Sequence, residues 1–245
     1  MRRVATCETD FQNLEVWKSR TEVEFRVAGA VHAWRHGGRF LSGLAWDNIA
    51  AACLLRADGP PESVLMLGLA GGTSMRILRQ LLPDCRFTAV EIDAKIIDAA
   101  RQWMHLDEIG IEIVTADAYQ WLRENRRRFD VVIDDVYLAG ADDVFRPVAW
   151  ETAHLDTLCR AIAPGGLLAA NLVTGPGHRT MQSRMRRLFR KRFPVVRSVV
   201  TPASLNETLV GGERVATARQ LAPWLWKFPH GTDRRLWRKI AVRKI

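Results

Sequence analysis

Five acidic residues stand where apolar runs end. Glu91 and Asp93 close the run at 86–92, Asp117 follows the run at 111–115, and Asp134 and Asp135 follow FDVVI at 129–133. Upstream, Val64-Leu65-Met66-Leu67 leads into the turn Gly68-Leu69-Ala70-Gly71-Gly72, after which Ile77, Leu78, Leu81 and Leu82 recur at helical spacing. Glycine lets a backbone turn sharply and approach a ligand closely. The helix start beyond it exposes unpaired N–H groups to polar or anionic atoms. A carboxylate about 20 residues further on can accept hydrogen bonds from both hydroxyls of a ribose. The chemistry these residues can serve together is nucleoside binding.

Two ligand classes compete for such a unit. A dinucleotide enzyme shows G-x-G-x-x-G, whereas here Gly68-x-Ala70-x-Gly72 runs into Thr73, Ser74 and Met75 with no third glycine. A glycine cluster followed by Glu-x-Asp, as in Glu91 and Asp93, favours S-adenosylmethionine (AdoMet) as ligand. The bland alternative is a βαβ unit whose turn is merely glycine-rich. A lone strand-end aspartate is commonly a turn former or a helix cap. Acids at three successive strand ends raise the binding reading above that.

The elements that must position these residues alternate. Apolar strands are expected at 64–67, 86–92, 111–115, 129–133, 167–173, 195–200 and 207–210. Helices are expected after the glycine turn and at 94–104, 119–124, 150–163 and 179–192, with a stop at Pro164-Gly165-Gly166. Strands alternating with helices give a parallel sheet covered on both faces, with ligands at the carboxyl ends of its strands. The fold class is therefore α/β, a Rossmann-like, doubly wound, seven-stranded, mostly parallel sheet. Before it, residues 21–27 alternate apolar and polar, and turns at 28–30 and 36–39 with a third strand at 40–41 suggest a small antiparallel β appendage. A helix over 46–55 and the linker Asp58-Gly59-Pro60-Pro61 follow. The domains expected are 1–58 (appendage and linking helix), 59–222 (AdoMet-binding α/β domain) and 223–245 (basic tail). A polar loop is expected at 139–147, and a short basic amphipathic helix at 233–245.

Composition narrows the class. Hydrophobic residues make up 48% of 245, enough for a sizeable core. Cys7, Cys53, Cys85 and Cys159 are scattered, and the six histidines show no ligand spacing, so no metal is expected. No apolar run is long enough to span a membrane and no signal-type N-terminus appears, which predicts a cytoplasmic protein. The net charge of +9 comes from clusters such as 184–192, where Met181, Met185, Leu188 and Phe189 form an apolar stripe and arginines fill the rest. That is the pattern of an ordinary surface helix, so nucleic acid is not expected as a partner.

The chain resembles the spermidine-synthase-like branch of the class I AdoMet-dependent methyltransferase fold. The residues carrying the resemblance are LGLAGGT (67–73), VEID (90–93), ADAYQWL (116–122), FDVVIDDVY (129–137) and LCRAIAPGGLLAANLV (158–173). It implies that Gly68, Ala70, Gly71 and Gly72 line the methionine part of the donor. Glu91 would hold the ribose, with Asp93 beside it, and Asp117 and the Ala118 backbone would meet the adenine edge. Asp135 would face the acceptor, Tyr137 would contact it, and Asp134 would brace the strand end. The donor is then S-adenosylmethionine or its decarboxylated form. The acceptor is a small molecule, an amine among the candidates, and the resemblance implies a homodimer.

Departures from the family pattern shape the expected function. The family's aminopropyltransferases carry an aspartate where this chain has Ala70, and Asp-Ser-Ser-Asp-Pro where it has Asp135-Val136-Tyr137-Leu138. Loss of the first removes a charge that would repel the carboxylate of intact AdoMet. The expectation is methyl transfer to a small molecule. The alternatives are aminopropyl transfer from decarboxylated AdoMet and a nucleoside-binding protein without catalysis.

Overall fold

The computed structural model describes residues 1–140, 144–148 and 150–245. Alternation builds the N-terminal sheet. Strands β1 (Arg2–Glu8), β2 (Asn13–Lys18), β3 (Glu22–Val27) and β4 (Ala30–His36) pair antiparallel in chain order. Leu14, Val16, Val23, Phe25 and Val27 point to one face and are buried, while their neighbours are not. The appendage is thus larger than the sequence suggested, because two strands precede residue 21. Phe40-Leu41 forms no strand; the backbone N–H groups of both donate to the buried Asp233 carboxylate instead.

Helix α1 (Ala45–Cys53) leads to β5 (Ser63–Leu67), α2 (Thr73–Leu81), β6 (Arg86–Glu91), α3 (Ala94–Met104), β7 (Ile111–Thr115), α4 (Ala118–Glu124) and β8 (Phe129–Asp134). A two-residue ribbon follows, β9 (Leu138–Ala139) paired with β10 (Val144–Phe145), where a polar loop was expected. Part of that expected loop, 141–143, lies outside the described residues. Helix α5 (Thr152–Arg160), β11 (Ile162–Val173), α6 (Arg179–Arg192), β12 (Val195–Val200), β13 (Asn206–Gly212), α7 (Gly231–Trp237) and β14 (Ala241–Lys244) complete the order. Pro164-Gly165-Gly166 does not end a helix. It lies inside β11 where the pairing with β8 shifts register between Ile162 and Leu167, with Gly165 at φ +70°.

The large sheet runs β14-β12-β13-β11-β8-β5-β6-β7. Its core from β11 to β7 is parallel, and β12, β13 and β14 join antiparallel. It has eight strands rather than the expected seven, because the basic tail ends in a strand on the edge of β12 after α7. Val64 and Met66 pack into one apolar cluster and Leu65 and Leu67 into another, so both faces of β5 are covered. From β5 the chain winds to β6 and β7 on one side and returns to β8 on the other. The crevice of such a sheet opens where the winding reverses, at the carboxyl ends of β5 and β8.

Candidate active site

Gly68 stands at that reversal. Its φ is +79°, and a Cβ there would lie 2.6 Å from the carbonyl oxygen of Asp135. Only glycine lets the turn after β5 pass so close to the end of β8. Ala70 also takes a left-handed conformation, φ +47°, and Gly72 (φ +73°) is the N-cap of α2. Gly71 does other work. A Cβ on it would meet Ala33 at 2.5 Å and Met104 at 3.1 Å, so it seats the turn against β4 and α3. It is not among the residues lining the cavity.

The cavity at these strand ends has a volume of about 310 Å³. Gly68, Ala70, Gly72, Glu91, Asp93, Asp117, Ala118, Asp135 and Tyr137 all border it, so nearly every residue singled out from the sequence meets there. The appendage supplies a wall through Gln12, Phe25 and His32.

Glu91 ties two elements together. Its Oε2 accepts from the backbone N–H groups of Leu69 (2.9 Å) and Ala70 (3.0 Å), and its Oε1 accepts from the Asp93 N–H (3.1 Å). Asp93 caps α3 through Lys95 and Ile96 N–H, and Asp117 caps α4 through Tyr119 and Gln120 N–H. Each of these two acids is therefore a helix cap and a lining residue at once.

At the end of β8 the two aspartates differ. Asp135 borders the cavity and is half-buried. Burial pushes its pKa up to about 7, against the pull of the hydrogen bond from Asn171 and the charge of Arg146. Asn171 Nδ2 donates to Asp135 Oδ1 at 2.7 Å. Asp134 is wholly buried and accepts from Arg146 Nη1 at 2.8 Å and from the Tyr119 hydroxyl at 2.9 Å. Burial pushes its carboxyl up, but Arg146, with His154 and Tyr119, pulls it below the usual range. The Tyr137 hydroxyl donates to the Asn171 carbonyl (2.9 Å) and accepts from the Val173 N–H (3.2 Å). Arg146 lies over its ring at 4.4 Å. Tyr137 thus forms part of the cavity wall while its hydroxyl is bound to β11.

Gln12, His32, Arg146 and Asn171 were not foreseen. Asn171 did leave a signal, a lone amide inside the apolar run LLAANLV. Five lining residues also hold buried polar atoms without a protein partner: Gln12 Oε1, His32 Nε2, Ser74 Oγ, Asp93 Oδ2 and Asn171 Oδ1. Buried polar atoms are normally paired. Such a wall fits a polar ligand such as a nucleoside with a charged tail. Among the described residues no helix is long and apolar enough to cross a membrane.

A family model described as the spermine/spermidine synthase domain matches residues 49–207. A Bifidobacterium longum protein named "Probable polyamine aminopropyl transferase" is 31% identical over 154 residues, which cover 62% of this chain and 33% of that one. The Danio rerio protein named "eEF1A lysine and N-terminal methyltransferase" is 28% identical over 165 residues, 61% of this chain and 23% of that one. The chain spans between a quarter and about half of the length of the curated relatives it matches. A probable spermidine synthase from Corynebacterium glutamicum superposes with a TM-score of 0.75 at 18% identity, covering 100% of this chain and 91% of that one. At that identity the likeness speaks for the fold.

Proposed function

This chain belongs to the spermine/spermidine synthase domain family, and from that premise we propose that it moves the aminopropyl chain of decarboxylated AdoMet onto an amine. The supporting observation is the charge of the cavity. Glu91, Asp93, Asp117 and Asp135 line it, and among the described residues no lysine or arginine does. A decarboxylated donor brings a sulfonium and an ammonium, and the acceptor is an amine. Carboxylates suit all three groups. An intact donor adds a carboxylate that no basic side chain answers, and two like charges about 4 Å apart repel by roughly 4 kcal/mol at an effective dielectric of 20. Ala70 alone argued for the intact donor; the whole wall is more acidic than that one position suggests. The name of the Bifidobacterium longum relative points the same way.

In this reading Glu91 faces the ribose and Asp117 with the Ala118 backbone faces the adenine edge. Asp135 receives the acceptor. The amine nitrogen forms a bond to the carbon next to sulfur, the carbon–sulfur bond breaks, and the thioether leaves neutral. The proton lost by the amine passes to Asp135, whose pKa near 7 suits a group that must take a proton and release it. The protein's main task is alignment of nitrogen, carbon and sulfur.

A second reading, methyl transfer from intact AdoMet, draws on one feature. Ala70 leaves the turn without a carboxylate, and α2 starts beside it with no side-chain cap, its N–H groups available to an anionic tail. The Danio rerio relative carries a methyltransferase name. Competition titration of intact against decarboxylated AdoMet separates the two. Tighter binding of the decarboxylated form is expected. A preference for intact AdoMet overturns aminopropyl transfer in favour of methyl transfer, and failure of both to bind overturns both.

A further inference from the structure

The strand order divides the cavity in two. The glycine turn follows β5, and Glu91, Asp93 and Asp117 stand at the ends of β6 and β7, on one side of it. Asp135 follows β8, which lies with β11 and β13 on the other side, and α1 packs over β11 and β13. Three of the four lining carboxylates therefore belong to the nucleoside side. They are also engaged there. Glu91 accepts from the backbone N–H groups of Leu69, Ala70 and Asp93, and Asp93 and Asp117 cap helices.

The acceptor side is built differently. Trp46, Tyr137, Leu138, Pro147, Val173 and Asn206 line it, and among the described residues Asp135 is its single carboxylate. Asn171 completes one seat beside that acid. Its Nδ2 is spent on Asp135, while its Oδ1 is buried with no protein partner. One ammonium, with three protons to donate, suits the carboxylate and this oxygen together. Beyond the seat the wall is aromatic and aliphatic, and the Tyr137 hydroxyl is already bound to β11. Phe145 carries this surface outward. It stands opposite Leu138 in the β9–β10 ribbon, so the two side chains share a face, and it is 48% exposed. Apolar side chains left in water at the edge of a cavity fit an apolar ligand body.

We propose that the acceptor is a primary amine bearing one positive charge on a hydrocarbon body, aliphatic or aromatic, and not a diamine. This rests on the reading of Asp135 as the group that receives the amine. A monoamine sets its ammonium between Asp135 and Asn171 and lays its body against Trp46, Tyr137, Leu138 and Val173. A diamine of the same length carries a second ammonium along that neutral wall, and a charge taken from water without a partner is costly.

The test titrates the full chain, saturated with methylthioadenosine, with butylamine, hexylamine, 2-phenylethylamine, 1,4-diaminobutane and 1,6-diaminohexane at pH 8. Asp135, with its pKa of about 7, is then ionised and the amines are protonated. Hexylamine, or 2-phenylethylamine where the body is aromatic, should bind about ten-fold more tightly than butylamine through added apolar contact. Hexylamine should exceed 1,6-diaminohexane by about ten-fold as well. Leu138→Asp should turn the order toward the diamines. Phe145→Ser, at an exposed position, should shrink the advantage of the larger monoamines. Methylthioadenosine binding reports that each variant is folded. Diamines that bind as well as their monoamines, or an affinity that rises neither with chain length nor with the phenyl ring, overturn the inference while the transferase reading stands. A diamine preference that disappears in Asp142→Asn combined with Asp143→Asn overturns it too, by locating the second anchor outside the described residues. Amine affinity left unchanged by Asp135→Asn, or failure of methylthioadenosine to bind, overturns that reading and this one together.

Discussion

Asn171 holds Asp135: its Nδ2 donates to Oδ1 at 2.7 Å, across from β11 to the end of β8. The bond favours the ionised carboxylate and works against the burial that raises its pKa to about 7. Asn171→Ala should therefore raise that pKa further. A hydrogen bond to a charged group contributes about 1.5–3 kcal/mol, so the rising limb of the pH–rate profile should move up by about one pH unit or more. An unmoved limb would mean that Asp135 is not the group that titrates in turnover.

The same carboxyl costs stability when ionised. Its folded pKa lies above its ordinary value of 3.8. Between the two, the folded protein keeps a proton that the unfolded chain has released, so this group's contribution to stability falls as pH rises through that window and levels off above about pH 7. Asp135→Asn, which cannot ionise, should raise the melting temperature at pH 8 and leave it nearly unchanged at pH 4. The gain is a few kcal/mol at most, and transferase activity should be lost with it. Equal melting shifts at both pH values would speak against a buried, titrating Asp135.

Glu91 joins the glycine turn to the end of β6, so its replacement should act twice. Glu91→Ala removes the acceptor expected for the ribose and releases the N–H groups of Leu69, Ala70 and Asp93. Nucleoside affinity should fall about ten-fold or more, and the melting temperature should fall with it. Calorimetric titration with methylthioadenosine, run beside thermal unfolding, reads both. Unchanged affinity in a folded variant would remove Glu91 from the ribose.

Much of this site was legible before the structure, for a physical reason. Strand ends in a wound sheet converge, so acids placed after successive apolar runs had to meet at one crevice. What was hidden depends on contacts between distant segments. Gly71 reads like its neighbours, yet it answers to Ala33 and Met104. Arg146 is one arginine in a chain rich in them, and only the fold shows that it pairs with Asp134. The first two strands carry few large apolar residues, with Leu14 and Val16 alone buried deeply. The last strand, Ala241–Lys244, is basic and short, and only pairing with β12 makes it a strand.

Arg146 and Asp134 form the most deeply buried ion pair of the site, with side chains 2% and 0% exposed. Arg146→Met leaves the buried Asp134 carboxylate with only the His154 imidazole, 3.9 Å away, and the Tyr119 hydroxyl beside it, which should destabilise the protein by about 3–5 kcal/mol in denaturant titration. With the arginine present, Asp134 has a depressed pKa, so it contributes stability above the usual carboxylate range and loses it as pH falls through the folded value. Without Arg146 that dependence should invert, and the variant should recover part of its loss in mild acid. Asp134→Asn in the Arg146→Met background should restore stability near neutral pH. A loss that this second change does not relieve would locate the effect in packing against Tyr137 and Trp150 instead.

Ala70 lies where the turn bends with φ +47°, and its N–H is held by Glu91. Aspartate tolerates that conformation better than most side chains, because its short polar group can bond locally. Ala70→Asp should therefore keep the turn while adding a carboxylate at the cavity wall. If the donor tail lies over this turn, the new charge attracts the ammonium of decarboxylated AdoMet and repels the carboxylate of the intact form. Two charges about 4 Å apart interact by roughly 4 kcal/mol at an effective dielectric of 20, before solvation losses. Competition titration should show the preference for decarboxylated AdoMet widening about ten-fold or more over the unsubstituted chain, with methylthioadenosine affinity unchanged because that nucleoside has no charged tail. An unchanged ratio would place the tail elsewhere, against the wall that Gln12 and His32 supply.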